Sequence, residues 1–184
     1  KDGFLMAAVE AIATTYLEAD ASSVTFSSLG SYEHLQLRIS AKSDYTGASS
    51  DEIELNFNGD TTANYAYHRI IGSETATSAS SAASASFVKV PSIQSSAAKS
   101  GAENYGGLIV DILDYKDDGN KNTTVAGTSC INRVTSALLG GSQSAFFSGL
   151  WDNTDDVTSI VLAPSGGSNF IRGSEFTLYG LNSS

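Results

Sequence analysis

The sequence is poor in cysteine, proline and basic residues. Cys130 is the one cysteine, so no disulfide can form within the chain and stability must come from burial of apolar surface. Two prolines and 17 glycines leave the chain reversals to Gly, Asn, Asp and Ser, the residues that build tight turns. Ten Lys and Arg stand against 20 Asp and Glu, a formal net charge of −10. We therefore expect no nucleic acid partner and no binding to anionic membranes.

Long apolar runs are also missing. No stretch of about 18 apolar residues occurs and Glu10 interrupts the apolar opening segment, so we expect neither a membrane-spanning helix nor a signal peptide in this sequence. What is present is 41% hydrophobic and 16% charged residues in a chain of 184. This composition is too apolar for a disordered chain and too lightly charged for a helical bundle, and the length suits one domain.

Alternation of apolar and polar residues is the main structural signal. It is clearest at 34–41, where Leu35, Leu37 and Ile39 would share one face of a strand. The run 108–113 is almost continuously apolar, which predicts a central strand buried on both faces. Cys130, in the strand predicted to follow, is expected to point inward as a buried thiol.

These segments predict an all-β fold: a mainly antiparallel, jelly-roll-like β-sandwich of about ten strands. We assign residues 14–184 to a single β-sandwich domain and residues 1–13 to an N-terminal arm or short helix. Segments 14–17 and 23–26 are predicted to form a hairpin, and the small residues of 73–86 a flexible surface loop. The predicted strands are 14–17, 23–26, 34–41, 53–57, 65–71, 87–90, 107–113, 123–131, 145–151, 157–163 and 174–180.

No motif for catalysis or metal binding stands out. His34 and His68 lack a second ligand at zinc spacing, and no Gly-x-Ser-x-Gly elbow of a serine hydrolase occurs. The acidic segment 114–120 has Lys116 where a calcium loop needs an oxygen ligand, so we interpret it as a turn. The acidic segment 152–156 is interpreted as a solvated loop, with a shared Ca²⁺ as the alternative. We expect no enzyme activity, no metal and no cofactor.

Tyrosines at predicted strand ends and in loops are the candidate binding residues. An exposed aromatic ring can stack on a sugar, and tyrosine is equally common where proteins contact each other. The residues considered are Tyr32, Tyr45, Tyr65, Tyr105 and Tyr115. Of these, the predicted ligand-binding set is Tyr45, Tyr65, Tyr105 and Tyr115.

Three segments resemble a family of tailed-phage virion proteins common in marine phages, and the similarity runs from about residue 14 to residue 181. The segments are Val24-Thr25-Phe26-Ser27-Ser28-Leu29 followed by Tyr32-Glu33-His34-Leu35-Gln36-Leu37-Arg38, then Leu55-Asn56-Phe57-Asn58-Gly59-Asp60 followed by Asn64-Tyr65-Ala66-Tyr67-His68-Arg69, and Gly173-Ser174-Glu175-Phe176-Thr177-Leu178-Tyr179-Gly180-Leu181.

The resemblance implies a structural component of the virion, exposed on the capsid or the tail in a decoration, fibre or adhesin-like role. Its partners would be other virion proteins, and trimers are common at virion surfaces, so the favoured assembly is a homotrimer. The family brings no catalytic residues. Two alternatives stay open: a module that binds a host surface glycan, and a polysaccharide-cleaving enzyme with a dispersed carboxylate pair.

Overall fold

The computed structural model describes residues 8–73, 76–97, 104–116, 119–132 and 142–182. Over these residues the chain forms twelve β-strands and no helix, so none of it is a helix that could cross a membrane. The strands are β1 (Val9–Tyr16), β2 (Val24–Phe26), β3 (His34–Ser43), β4 (Ser50–Phe57), β5 (Tyr65–Ser73), β6 (Ala76–Ala85), β7 (Val88–Ser95), β8 (Gly106–Leu113), β9 (Thr123–Ile131), β10 (Gln143–Trp151), β11 (Ile160–Pro164) and β12 (Glu175–Leu181).

The strands form two sheets that pack face to face. The wide sheet has eight antiparallel strands in the order β1-β12-β3-β8-β9-β10-β5-β6. The narrow sheet has four antiparallel strands in the order β2-β11-β4-β7. A short parallel contact between the ends of β3 and β7 joins the two sheets at one corner.

Eight of the strands have the order of a jelly roll. Strands β1-β12-β3-β8 face β2-β11-β4-β7, and the chain crosses between the sheets at nearly every connection among them. Strands β5 and β6 interrupt the passage from β4 to β7, and β9 and β10 interrupt that from β8 to β11. Because β10 pairs with β5, these two insertions form one four-stranded addition to the wide sheet, which we call the extension. The predicted jelly-roll-like, mainly antiparallel sandwich is confirmed.

The core lies between the sheets and follows from the alternation. Leu35, Leu37 and Ile39 turn inward as predicted and are at most 5% exposed. At the junction with the extension, Trp151 of β10 packs on Phe57 of β4 with ring centroids 5.6 Å apart. Burying each such side chain contributes about 1.5–3 kcal/mol, so the two sheets are stabilised mainly by this layer.

One glycine lets the narrow sheet approach the extension closely, and a second permits close packing within the wide sheet. A Cβ on Gly149 would lie 2.6 Å from Cγ1 of Val88, which belongs to β7. A Cβ on Gly127 would lie 2.6 Å from the ring of Phe147 on the neighbouring strand. Real Cβ contacts are not that short, so a larger residue at Gly149 would push β7 away from β10, and one at Gly127 would collide with the Ile109 carbonyl and the Phe147 ring.

A charged cluster closes the sandwich where the apolar core ends. The guanidinium of Arg69, on β5, donates to the carboxylate of Glu52 on β4 and to Ser80 Oγ on β6. Lys89 Nζ lies 3.1 Å from the other oxygen of Glu52. The side chains of Arg69 and Glu52 are only 16% and 24% exposed, so the ion pair is better shielded from water than an ordinary surface pair.

Three predictions about chain segments are wrong. Residues 9–13 are not a helix or a free arm: they belong to β1, whose backbone pairs with β12, so the predicted boundary at residue 13 falls inside a strand. Residues 1–7 lie outside the described residues. The segment 76–85 is β6 rather than a flexible loop, because pairing with β5 uses backbone groups and needs no bulky side chains. The predicted hairpin of 14–17 with 23–26 is also wrong, since β1 pairs with β12 and β2 with β11.

Two predictions about burial are wrong as well. Strand β8 is central, but it is buried on one face only, and Ile109 on its other face is 41% exposed. Cys130 is exposed, because the inward residues of β9 are Val125, Ser129 and Ile131 and the thiol falls on the opposite side.

Candidate functional site

The outer face of the wide sheet, which the narrow sheet leaves uncovered, carries a row of exposed apolar side chains. Strand register places Ile109 beside Thr128, Thr128 beside Phe146, and Phe146 beside Ile70, on β8, β9, β10 and β5 respectively. Neighbouring strands are about 4.8 Å apart, so the row spans roughly 14 Å. We call Ile109, Phe146 and Ile70 the apolar row.

The apolar row is unusual in its exposure. Ile109, Ile70 and Phe146 are 41%, 54% and 68% exposed, and they are three of the five large hydrophobic residues that the described residues leave exposed. Single exposed hydrophobic residues need no explanation, whereas adjacent ones on a rigid sheet are typical of contact surfaces. The row lies on the extension and on β8, its neighbour in the jelly roll.

Sequence reasoning missed Phe146, although a signal was present. Phe146 and Phe147 are consecutive on one strand, and consecutive strand residues point to opposite faces. One of the two rings therefore has to lie outside the core whichever register the strand adopts. Ile70 and Ile71 carry the same signal on β5.

The jelly roll end of this outer face is polar. Gln36 Nε2 donates to Asp111 Oδ1 at 2.7 Å, and Arg38 Nε donates to Gln36 Oε1 at 3.2 Å. The Arg38 guanidinium also lies 5.4 Å from the centre of the Tyr179 ring, a cation–π distance. The face therefore changes from hydrogen-bonded polar residues on β3 and β12 to the apolar row on the extension.

Two shallow hollows flank Phe146. The one toward the polar end has a volume of about 740 Å³ and is lined by Ile109, Thr128 and Tyr179, among others. The other, of about 570 Å³, lies toward the sheet edge and includes Ile70 and Ser81. Each hollow places apolar carbon next to hydroxyl groups, an arrangement that suits a partner with both apolar and hydrogen-bonding surface.

The predicted ligand-binding tyrosines are not part of this face. Tyr65 and Tyr115 are 1% and 0% exposed, so the prediction that they are exposed aromatics is wrong. Tyr115 donates its hydroxyl to the Gly30 carbonyl at 3.2 Å and accepts from the Tyr32 backbone N–H at 2.9 Å. Burial raises the pKa of Tyr115, which keeps the hydroxyl protonated.

Tyr45 and Tyr105 are half-buried and contact the connection between β11 and β12. The Tyr45 ring covers Gly166, where an added Cβ would lie 3.0 Å from it. The Tyr105 hydroxyl donates to the Arg172 carbonyl at 2.7 Å. The predicted set is thus spread over different loop contacts and does not converge on one site, because tyrosines at strand ends here fasten loops to the sandwich.

A polar network next to the core holds Trp151 and Tyr65 in place. Asp60 accepts hydrogen bonds from the side chain and backbone of Thr62 and from Trp151 Nε1, at 2.9 Å from the indole. These bonds, that of the Thr62 hydroxyl first and that of Trp151 second, hold the pKa of Asp60 well below its usual range. Tyr65 accepts from the Phe57 backbone N–H at 2.9 Å, and burial raises its pKa to about 12. The arrangement fixes the loop that carries Asp60 and Thr62.

Metal ligands do not gather in the part of the chain that the structure describes. Among those residues no group of three His, Cys, Asp or Glu side chains is close enough to hold an ion. His34 Nδ1 faces the backbone N–H of Asp114 at 3.4 Å, and His68 lies exposed on the outer face. Residues 117–118 of the calcium-like segment lie outside the described residues.

Comparison with known proteins adds little. No protein-family model matches the sequence, and no curated protein matches it. Among solved structures, the CBM2 module of the evolved Dit protein of Lactobacillus casei BL23 phage J-1 is similar at 11% identity and a TM-score of 0.15, over 88% of this chain and 69% of that one. A TM-score this low carries no argument about fold or function.

Proposed function

We propose that this protein is a structural component of a tailed-phage particle, exposed on the capsid or tail, which contacts a neighbouring virion protein through the apolar row. The observation that supports a contact role is the exposure of Ile109, Phe146 and Ile70 in one line across a rigid sheet, with Thr128 between the first two. The particle setting rests on the sequence resemblance. The jelly roll is compatible with it, since that fold recurs in viral capsid proteins, but it also serves lectins.

The geometry suits a protein partner of mixed character. A contact with an apolar centre and a polar rim is the usual anatomy of a protein interface. Here Phe146 would be the centre, and the hydrogen-bonded group of Gln36, Arg38 and Asp111 would lie at the rim. A large aromatic at the centre of such a patch commonly supplies much of the binding energy.

The first experiment asks whether the protein is part of the particle. Particles purified from an infected culture should contain it at a constant ratio to the major capsid protein across preparations, measured by quantitative mass spectrometry. Detection in the lysate but never in particles would contradict the proposal.

The second experiment locates the contact. Phe146→Asp should reduce the amount bound to particles at least tenfold, because it places a charge at the centre of the contact. Val9→Asp is the matched control: Val9 is 53% exposed on β1, at the far edge of the same sheet. Equal occupancy of both variants would show that the apolar row is not the contact.

Binding of a host glycan is a second candidate. Phe146 presents an exposed ring among the hydroxyl groups of Thr128, Ser144 and Ser148, and sugars bind to such combinations of an aromatic ring and polar groups. Binding on a glycan array that Phe146→Ala abolishes and Tyr45→Ala retains would favour it. The expected absence of enzyme activity stays a prediction: incubation with host polysaccharide should release no reducing ends.

A further inference from the structure

The outer edge of the wide sheet is an unprotected β-strand. Strand β6 ends the sheet, pairs only with β5 and runs over ten residues, none of them fully buried. An edge strand presents unpaired backbone N–H and C=O groups, and proteins usually block such an edge with a charge, a proline, a bulge or a very short strand. From Ala76 to Ala82, β6 has no charge and no proline, and its pairing with β5 is regular. The one register shift of β6 lies beyond this stretch, between Ala82 and Ala85.

The other free edges of the described sheets are protected. Strand β1 carries Glu10 and a register shift between Ala11 and Ala13. Strand β2 has three residues, and β7 is largely buried against the wide sheet. The contrast makes β6 the one long edge in the described part of the chain that is open to another strand.

We propose that β6 pairs with β6 of a second copy of this chain, antiparallel, with Ala76 opposite Ala82 and the twofold axis at Ala79. A strand paired antiparallel with itself has twofold symmetry and closes as a dimer. Every second residue of the edge directs its backbone groups outward, so seven residues from each copy form about six hydrogen bonds.

Strand β6 is the edge at which the charge of the chain least opposes contact between two copies. Each chain carries a net charge of −10, so two copies repel each other wherever their acidic residues meet. Strand β6 contains only Ala, Ser and Thr, so two copies can approach there without bringing acids together. Small side chains on both faces also leave no steric obstacle to the pairing.

Pairing would join two wide sheets into one sheet of sixteen strands. The outer faces would become continuous, and the two Phe146 rings would lie five strand spacings apart, roughly 24 Å. The dimer thereby presents two apolar rows on one surface. This inference does not depend on the proposed virion role, since it concerns the other edge of the extension and not the contact at Phe146.

The test is the oligomeric state of the purified protein by analytical ultracentrifugation from low to high micromolar concentration. We expect a monomer–dimer equilibrium that Ala79→Lys weakens about tenfold or more, because it places two like charges together at the twofold axis. Ala126→Lys is the matched control, since Ala126 is exposed on the same outer face but in the middle of the sheet. Thermal unfolding of each variant checks that the fold is intact.

A charge-pairing experiment makes the test specific to the edge. Ala79→Lys mixed with Ala79→Asp should restore dimers that neither variant forms alone, since the opposite charges meet at the axis. A wild-type protein that stays monomeric throughout, or a trimer, would overturn the proposal. So would a dimer that Ala126→Lys disrupts and Ala79→Lys leaves intact, because it would place the interface on the sheet face.

Discussion

Strand β3 of the jelly roll and strand β6 of the extension are both ten residues long, yet five residues of β3 are buried and none of β6 is. The jelly roll is stabilised by two apolar faces packed on each other. The extension adds Tyr65, Phe147 and Trp151 to this core. It depends further on backbone pairing, on the close contact that Gly149 permits, and on the ion pair of Arg69 with Glu52. Its exposed surface is the apolar row and an open edge, so the less buried region carries the candidate contacts.

The largest expected effect tests the difference in side-chain burial between the jelly roll core and the outer face of the extension. Leu37→Ala should destabilise the fold by about 2–5 kcal/mol, since it leaves a cavity in the jelly roll core. The comparable change in the extension, Ile70→Ala, should alter stability by less than about 0.5 kcal/mol because Ile70 faces solvent. Urea unfolding measures both. Similar losses for the two variants would show that the apolar row is buried in solution.

The next effect tests the close contact of β7 with the extension. Gly149→Ala should cost about 1–3 kcal/mol, because the new methyl group would overlap Val88. Gly72→Ala is the control, since its Cβ would meet the nearest atom at an ordinary 3.7 Å. Combining Gly149→Ala with Val88→Ala should recover part of the loss. Purely additive losses would argue against the contact.

A smaller effect concerns the junction between the two regions. Tyr65→Phe should cost about 1–2 kcal/mol, since it leaves the Phe57 N–H without its partner. The pKa of Tyr65 is raised to about 12 by burial, above its unfolded value of about 10. The stabilisation of the fold by the protonated Tyr65 hydroxyl is therefore complete below pH ~10 and is lost as the pH rises through about 12. Ultraviolet titration should show late-titrating tyrosine absorbance that Tyr65→Phe lowers by one residue and that Tyr16→Phe, at an exposed position, leaves unchanged.

The smallest expected effect is the loss of fold stability at acid pH when Asp60 becomes protonated. Because hydrogen bonds lower the pKa of Asp60, its contribution to stability is present above the unfolded value of about 3.9 and is lost as the pH falls toward the folded value. Thermal unfolding from pH 7 to pH 2 should therefore show a steeper acid loss for the wild type than for Asp60→Asn. Parallel curves would mean that the bonds from Thr62 and Trp151 do not stabilise the carboxylate.

Alternation predicted the jelly roll well and the extension poorly. In β3, apolar residues at every second position mark one face as core, and the structure has that face inside. In β6, side chains of one size carry no such signal, so the sequence predicts a loop where the structure has a strand defined by its backbone partner. The predicted burial of Cys130 is wrong for a related reason. Gly127 and Ser129 are inward residues with little side-chain bulk, so the sequence does not show which face of β9 is the core face.

The candidate site was harder to predict than the fold. Tyrosines near strand ends look exposed in a sequence, but whether a ring covers a loop or faces solvent depends on chain segments far away in sequence. Tyr115 bonds to Gly30, 85 residues earlier. The adjacent pair Phe146 and Phe147 could have been used, because it requires an outward ring from strand geometry alone.

The pairing of β1 with β12 has a mechanical consequence. Val9, where the chain enters the sandwich, lies opposite Leu181, where it leaves, so both points share one corner of the wide sheet. A load pulling these two points apart would open the β1–β12 ladder one hydrogen bond at a time, which resists force weakly. The same corner lies seven strand spacings from β6, roughly 34 Å. A tether at either point would therefore hold the molecule by one edge and leave the opposite edge and the apolar row turned outward.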